Sequence, residues 1–244
     1  MSKTENKSSL LSIVKLTLPV FFGYIAIGIP FGLMLVKNGY PWWVAPIMSL
    51  TMYAGAGQYV AIGLFASGAS FGSIAIAELL LNIRHIVYGL SLIEKFKKTG
   101  KWKPYLIFAL TDETYALMTS TPLPENANPG RFYGTIAVLD QCYWILGSLI
   151  GAIAGYLIPF DFKGVDFALT ALFAVLLIEQ IKASKDFVPP AIGIFVTGIC
   201  IVIGKFVPVV ADNILIFALC AGIGLLMLVK GKNLGKEDKN GFNA

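Results

Sequence analysis

Six ionisable residues, Glu78, Arg84, His85, Asp112, Glu113 and Asp140, stand inside stretches of sequence that are otherwise apolar. Such a group at the centre of a bilayer costs roughly 2.5–3.5 kcal/mol on insertion scales, so each requires a partner or a task. Glu78, Asn82 and His85 are spaced i, i+4, i+7 and share one helical face, with Arg84 about 120° away by the 3.6-residue period. Asp112 lies 11 residues beyond Lys101, about 16 Å along a helix, which predicts a position near mid-membrane with Tyr115 and Thr119 on its face. Asp140 is similarly central between residues 131 and 158, with Trp144 and Gly147 on its side. Four carboxylates face one arginine and one histidine, so not all are charge-paired, and desolvation is expected to hold at least one of them protonated. A proton-coupled carrier requires such a group. Arg84 with Asp112 or Asp140 reads equally as an interhelical ion pair, and His85 as a hydrogen-bonded packing residue.

Other chemistry is disfavoured. His85 is the single histidine and no H-E-x-x-H run occurs, so no metal, cofactor or enzymatic activity is expected. Cys142, Cys200 and Cys220 are far apart within apolar blocks and read as small buried hydrophobes. The run Gly55-Ala56-Gly57-Gln58, preceded by Tyr53, interrupts an apolar stretch and frees backbone groups that lipid cannot satisfy. It is either a plain kink or the start of a half-helix whose amides point at an anionic group such as a substrate carboxylate. Gly28 and Gly32, and Gly147, Gly151 and Gly155, form small-residue ridges of the kind that pack helices together.

The elements that must hold these residues follow from composition. Of 244 residues, 57% are hydrophobic and 14% charged, which excludes both an ordinary water-soluble domain and a disordered chain. Eight apolar segments occur, at 16–36, 42–66, 71–93, 104–121, 131–158, 166–182, 187–207 and 211–230, most of them near the roughly 20 residues a membrane-spanning helix needs. The net charge of +5 comes mainly from short gaps between those segments, so it reads as membrane topology and not as a nucleic-acid surface. The expected fold is an all-α polytopic membrane protein: six full spans plus two broken or re-entrant segments, 42–66 and 166–182. These would form inverted repeats over 16–121 and 131–230 within one transporter domain, 16–230. Residues 1–15 and 231–244 would then be cytoplasmic. That arrangement puts 15 basic residues inside and three outside. Seven spans with an external N-terminus is the alternative.

The strings Pro19 to Tyr24 (PVFFGY), Tyr53 to Gln58 (YAGAGQ), Asn82 to His85 (NIRH) with Tyr88-Gly89, and Thr111 to Tyr115 (TDETY) together resemble the AzlC (azaleucine-resistance) family. Asp166 to Phe173 is similar to that family's second-half signature. The resemblance implies the large subunit of a bacterial branched-chain amino acid exporter in the inner membrane. Its partners would be a separately encoded small AzlD-type membrane subunit and an amino-acid substrate, and efflux would be driven by the proton-motive force. Tyr53, Gly55, Gly57, Gln58, Asn82, Arg84, Asp112, Tyr115 and Asp140 are then the candidate substrate-binding residues, and Glu78, His85, Asp112, Glu113 and Asp140 the candidate proton-coupling residues. The substrate carboxylate would meet Arg84 or the amides after Gly55, and its ammonium Asp112 or Asp140. A methylene is worth only about 1–3 kcal/mol of discrimination, so leucine, isoleucine and valine, with methionine at the limit, would share the site. A channel or pore for a small polar solute is the rival expectation.

Overall fold

The computed structural model describes residues 2–125, 127–158, 167–212 and 214–241, and every regular element among them is helical. The helices are α1 (Ser2–Lys37), α2 (Val44–Thr51), α3 (Gly55–Ala66), α4 (Phe71–Ser91), α5 (Ile93–Lys97), α6 (Lys103–Phe108), α7 (Asp112–Ser120), α8 (Pro129–Leu157), α9 (Phe167–Ser184), α10 (Val188–Gly204), α11 (Pro208–Asp212) and α12 (Ile214–Gly241). Three stretches, Leu10–Lys37, Phe71–Ser91 and Pro129–Leu157, are long and apolar enough to cross a membrane. The chain divides into two compact units, Met1–Ala66 with Asn82–Leu172, and Ser67–Leu81 with Phe173–Ala244.

The first unit is built on α1 packed along α8, and the glycine ridges explain the contact. A methyl group on Gly32 would land on the Ser148 carbonyl, and one on Gly151 on the Ile29 carbonyl. Without Cβ atoms the two backbones touch. Thr17 meets Tyr143 (3.1 Å), Gly28 meets Gly147 and Ser148, and Leu33 and Val36 meet Gly155, so the two helices run parallel. First spans of inverted repeats would run antiparallel, and the expected inversion of 131–230 relative to 16–121 does not describe this pair.

Two helical hairpins enter the unit from opposite ends of this α1–α8 pair. From the Lys37 end, α2 descends along α8, with Ser49 bonded to Ser148 (2.8 Å) and the Leu50 carbonyl to Gln141 (3.1 Å). α3 then climbs back: Gly55 lies against Trp144, Tyr59 bonds the Ile27 carbonyl (2.6 Å), and Phe65 reaches Tyr40 just past α1 (ring centroids 6.1 Å). From the other end, the Trp102 ring lies on Gly134 near the start of α8, and Tyr105 of α6 bonds Gln141 (2.7 Å). α7 returns to the same end, where the Lys95 ammonium donates to the Met118 carbonyl.

The break within 42–66 lies at Met52–Ala54, just before the Gly55-Ala56-Gly57 run, which is itself helical and starts α3. The second break is elsewhere. α9 is one uninterrupted helix, whereas 104–121, expected as a full span, is split at Ala109–Thr111. In the second unit α10 packs against α11 and α12; Glu179 and Gln180, with which the 166–182 segment was expected to end, have side chains outside the described residues.

Because the neighbour at Gly151 is backbone and cannot swing aside, Gly151→Ala is expected to lower stability by about 1–3 kcal/mol. Gly23→Ala, on the partner helix with nothing within 4 Å, is expected to be near neutral. Thermal unfolding of the detergent-purified variants checks both.

Candidate functional site

The tips of the two hairpins meet beside α1 and α8. Tyr53, at the first tip, adopts φ +42°, a left-handed conformation costing about 1–3 kcal/mol for a residue with a side chain. Its ring is buried and lies 6.5 Å from that of Phe108 at the second tip. Its hydroxyl faces Tyr24, Thr114 and Asp140. At the second tip Thr111 caps α7, accepting the Thr114 N–H at 3.2 Å.

A continuous row of polar side chains crosses this junction. Tyr24 of α1 donates to Glu113 (2.9 Å) and contacts the Thr111 hydroxyl (2.6 Å); Thr111 contacts Thr114 (3.0 Å), and Thr114 donates to Asp140 of α8 (2.9 Å). Asp140 is fully buried, and among the described residues its second oxygen, Oδ1, is buried without a hydrogen bond.

A second group lies along α4 and α7. Arg84 pairs with Asp112 at 2.6 Å, with 31% and 25% of the two side chains exposed. Tyr88 donates to the other Asp112 oxygen (2.5 Å) and stacks on Tyr115 (4.4 Å between centroids), whose hydroxyl takes a bond from Ser91 (3.1 Å). Of the two partners left open for Arg84, the structure selects Asp112. Asp112 also sits in the first turn of a nine-residue helix, not midway along a span, so its carboxylate faces the positive end of the α7 dipole. His85 turns to its own helix, with Nδ1 3.1 Å from the Asn82 carbonyl and its ring edge-on to Tyr88. Asn82 stands at the boundary of the first unit, and Glu78 one turn earlier belongs to the second.

Gln58 is fully buried and bonded on both sides: it accepts from the Trp144 indole (2.8 Å) and donates to Ser49 (3.2 Å), which reaches Ser148. Gly57 is buried in the same first turn of α3, and Gly55 leaves room for the Trp144 ring. These residues tie the first hairpin to α8. Ser49 and Ser148 carried no sequence signal, and Tyr24 and Thr114 stood only within the PVFFGY and TDETY strings, with no role assigned to them. Thr111 carried one, because Thr-Asp-Glu is a helix-start pattern that marks the break before Asp112. A pocket of about 890 Å³ in the second unit, lined by Leu177, Ile181, Asp186, Pro189, Thr197 and Ile201 among others, holds none of the candidate residues.

Gln58→Leu leaves the Trp144 N–H without its acceptor and is expected to destabilise by about 1–3 kcal/mol. Combined with Trp144→Phe it should cost less than the two single variants summed, as read from a thermal-unfolding double-mutant cycle.

Comparison with known proteins bears on this geometry. A family profile described as AzlC protein matches residues 19–158, which contain both hairpins, the ion pair and the hydroxyl row. An uncharacterized membrane protein of Helicobacter pylori (strain J99) is 41% identical over 186 residues, covering 76% of this chain and 81% of the relative. The branched-chain amino acid transport protein AzlC of Bacillus subtilis (strain 168) is 31% identical over 215 residues, covering 88% and 82%. The inner membrane protein YgaZ of Escherichia coli (strain K12) is 29% identical over 175 residues, covering 69% and 70%. No solved structure matches the chain significantly. With its family match spanning more than half of the sequence, this chain is a multi-pass membrane transport protein of the AzlC family.

Proposed function

We propose that the protein exports branched-chain amino acids across the bacterial cytoplasmic (inner) membrane by proton antiport, as the large subunit beside a small AzlD-type membrane protein. The substrate class is supported by the name of the Bacillus subtilis relative, and the membrane by that of the Escherichia coli relative. The carrying observation is the Arg84–Asp112 pair at the N-terminus of a half-helix, part-exposed and flanked by Tyr88 and Tyr115. A zwitterion entering between the two charges exchanges one ion pair for two. Its carboxylate meets the guanidinium and its ammonium the Asp112 carboxylate, while its aliphatic side chain lies along the tyrosine rings. Asn82 and Tyr53 border the path, and Asp140 with Glu113 carries the proton. Proton entry from the outward-facing side neutralises one of these neighbouring carboxylates, which lowers the negative charge around Asp112 and favours ammonium release there. Each charge moved through 100 mV contributes about 2.3 kcal/mol, near a 50-fold gradient.

In this proposal six helices cross (α1, α4, α8, α9, α10 and α12) and the two hairpins, 42–66 and 103–121, are re-entrant from opposite faces. Fifteen basic residues then fall on the side of both termini and three on the other, which makes the terminal side cytoplasmic. Broken helices meeting at mid-membrane suit alternating access.

Labelled-leucine efflux from proteoliposomes under a pH gradient tests the transport activity. Arg84→Ala and Asp112→Asn each remove a charge-assisted contact and should reduce efflux by about 10- to 100-fold in folded protein. Conductance without substrate-linked proton movement would point to a pore instead. Cysteines at Lys98 and Glu125, introduced after replacing the native three, should be labelled from the cytoplasmic face, and one at Gly39 from the outside only. Labelling of Lys98 and Glu125 from opposite faces would break the second hairpin.

A further inference from the structure

Resting on the proton-coupled reading of this site, we propose that Glu113 and Asp140 hold one proton between them and pass it through the hydroxyls of Tyr24, Thr111 and Thr114. The four contacts in the row are Glu113–Tyr24 (2.9 Å), Tyr24–Thr111 (2.6 Å), Thr111–Thr114 (3.0 Å) and Thr114–Asp140 (2.9 Å). Each hydroxyl has a single proton to donate. Three hydroxyls therefore supply three protons to four contacts. With both carboxylates ionised, Tyr24 and Thr114 donate outward, Thr111 fills one inner contact, and the other is left with two oxygens facing each other unprotonated. One proton added at either end fills all four. A second added proton exceeds the four contacts of this row. The row is thus matched to a single shared proton.

Its transfer balances. When the proton sits on Asp140 Oδ2, every donor points towards Glu113. Breaking Asp140 Oδ2–H and forming Glu113 Oε2–H requires each hydroxyl to give up one proton and take one, after which every donor points towards Asp140. Net charge within the row is unchanged. Tyr24, Thr111, Thr114 and Asp140 are buried while Glu113 is half-buried, so exchange with solvent enters at Glu113 and the transfer ends at the hairpin tips. Thr111 is held in register because it caps α7 with the same oxygen. The titratable groups facing the two carboxylates are Tyr24 from α1, Tyr53 from the first tip, Tyr105 from α6 and Asp112 beside Glu113. Linked hydroxyls in a low-dielectric surrounding polarise one another, which favours reorientation of the row as a unit.

The test compares two transport modes of the full chain in proteoliposomes and adds an infrared titration of the purified protein. Tyr24→Phe and Thr114→Val interrupt the row, while Thr114→Ser keeps its hydroxyl. Leucine flux driven by a pH gradient should fall about tenfold further than leucine–leucine exchange in the two interrupted variants, and Thr114→Ser should restore it. Equal loss of both modes, or no loss of either, overturns the shared proton. In the infrared titration one carboxylic-acid C=O band should serve the pair, altered alike by Glu113→Gln, Asp140→Asn and Tyr24→Phe. Two bands, each lost only in its own variant and indifferent to Tyr24→Phe, overturn it. Wild-type protein that moves no leucine in either mode would overturn the substrate reading, and the infrared result would then decide the shared proton by itself.

Discussion

A helix broken inside a membrane leaves N–H and C=O groups that lipid cannot satisfy, so each break must be enclosed by protein. This chain breaks two helices and encloses both breaks with the same two partners, α1 and α8. The close approach of those partners is made by Gly28 and Gly32 against Gly147, Ser148 and Gly151. Everything that gathers at the hairpin tips depends on that glycine contact, because the same faces of α1 and α8 also carry Tyr24, Asp140 and Trp144 to the junction.

The two tips serve different ends. The first is fixed by a neutral network, Trp144–Gln58–Ser49–Ser148, with every bond to a buried partner. The second carries the charges: Asp112 and Glu113 are adjacent in sequence but diverge, one to Arg84 and Tyr88, the other to Tyr24. Two consecutive residues thus divide a part-exposed ion pair from a buried row of hydroxyls.

Much of this was legible in the sequence. The polar residues stranded in apolar segments, the small-residue ridges and the break after Tyr53 all follow from residue type and spacing. The second break was not, because 104–121 has no internal glycine or proline, and only the Thr111-Asp112-Glu113 helix-start pattern marks it. Charge did not help. Splitting 103–121 in place of 166–182 adds Arg131 to the inner count and removes Lys163 from it, so 15 against three describes both arrangements. Ridge spacing likewise identifies the α1–α8 contact but says nothing of direction, and the parallel course emerges only from which residues touch. Tyr24 and Thr114 stand within the PVFFGY and TDETY strings, but the linkage of their hydroxyls emerges only from their neighbours in space.

The whole arrangement turns on contact between the two tips, Tyr53 against Phe108. Cysteines replacing Tyr53 and Phe108, in a chain lacking Cys142, Cys200 and Cys220, measure this directly with a short bifunctional thiol reagent in native membranes. Ready intramolecular cross-linking is the expected result. Failure of that pair to cross-link, with efficient cross-linking of Phe108→Cys to a residue near Lys37 instead, would mean that 104–121 crosses the membrane as a single span, and would contradict the account.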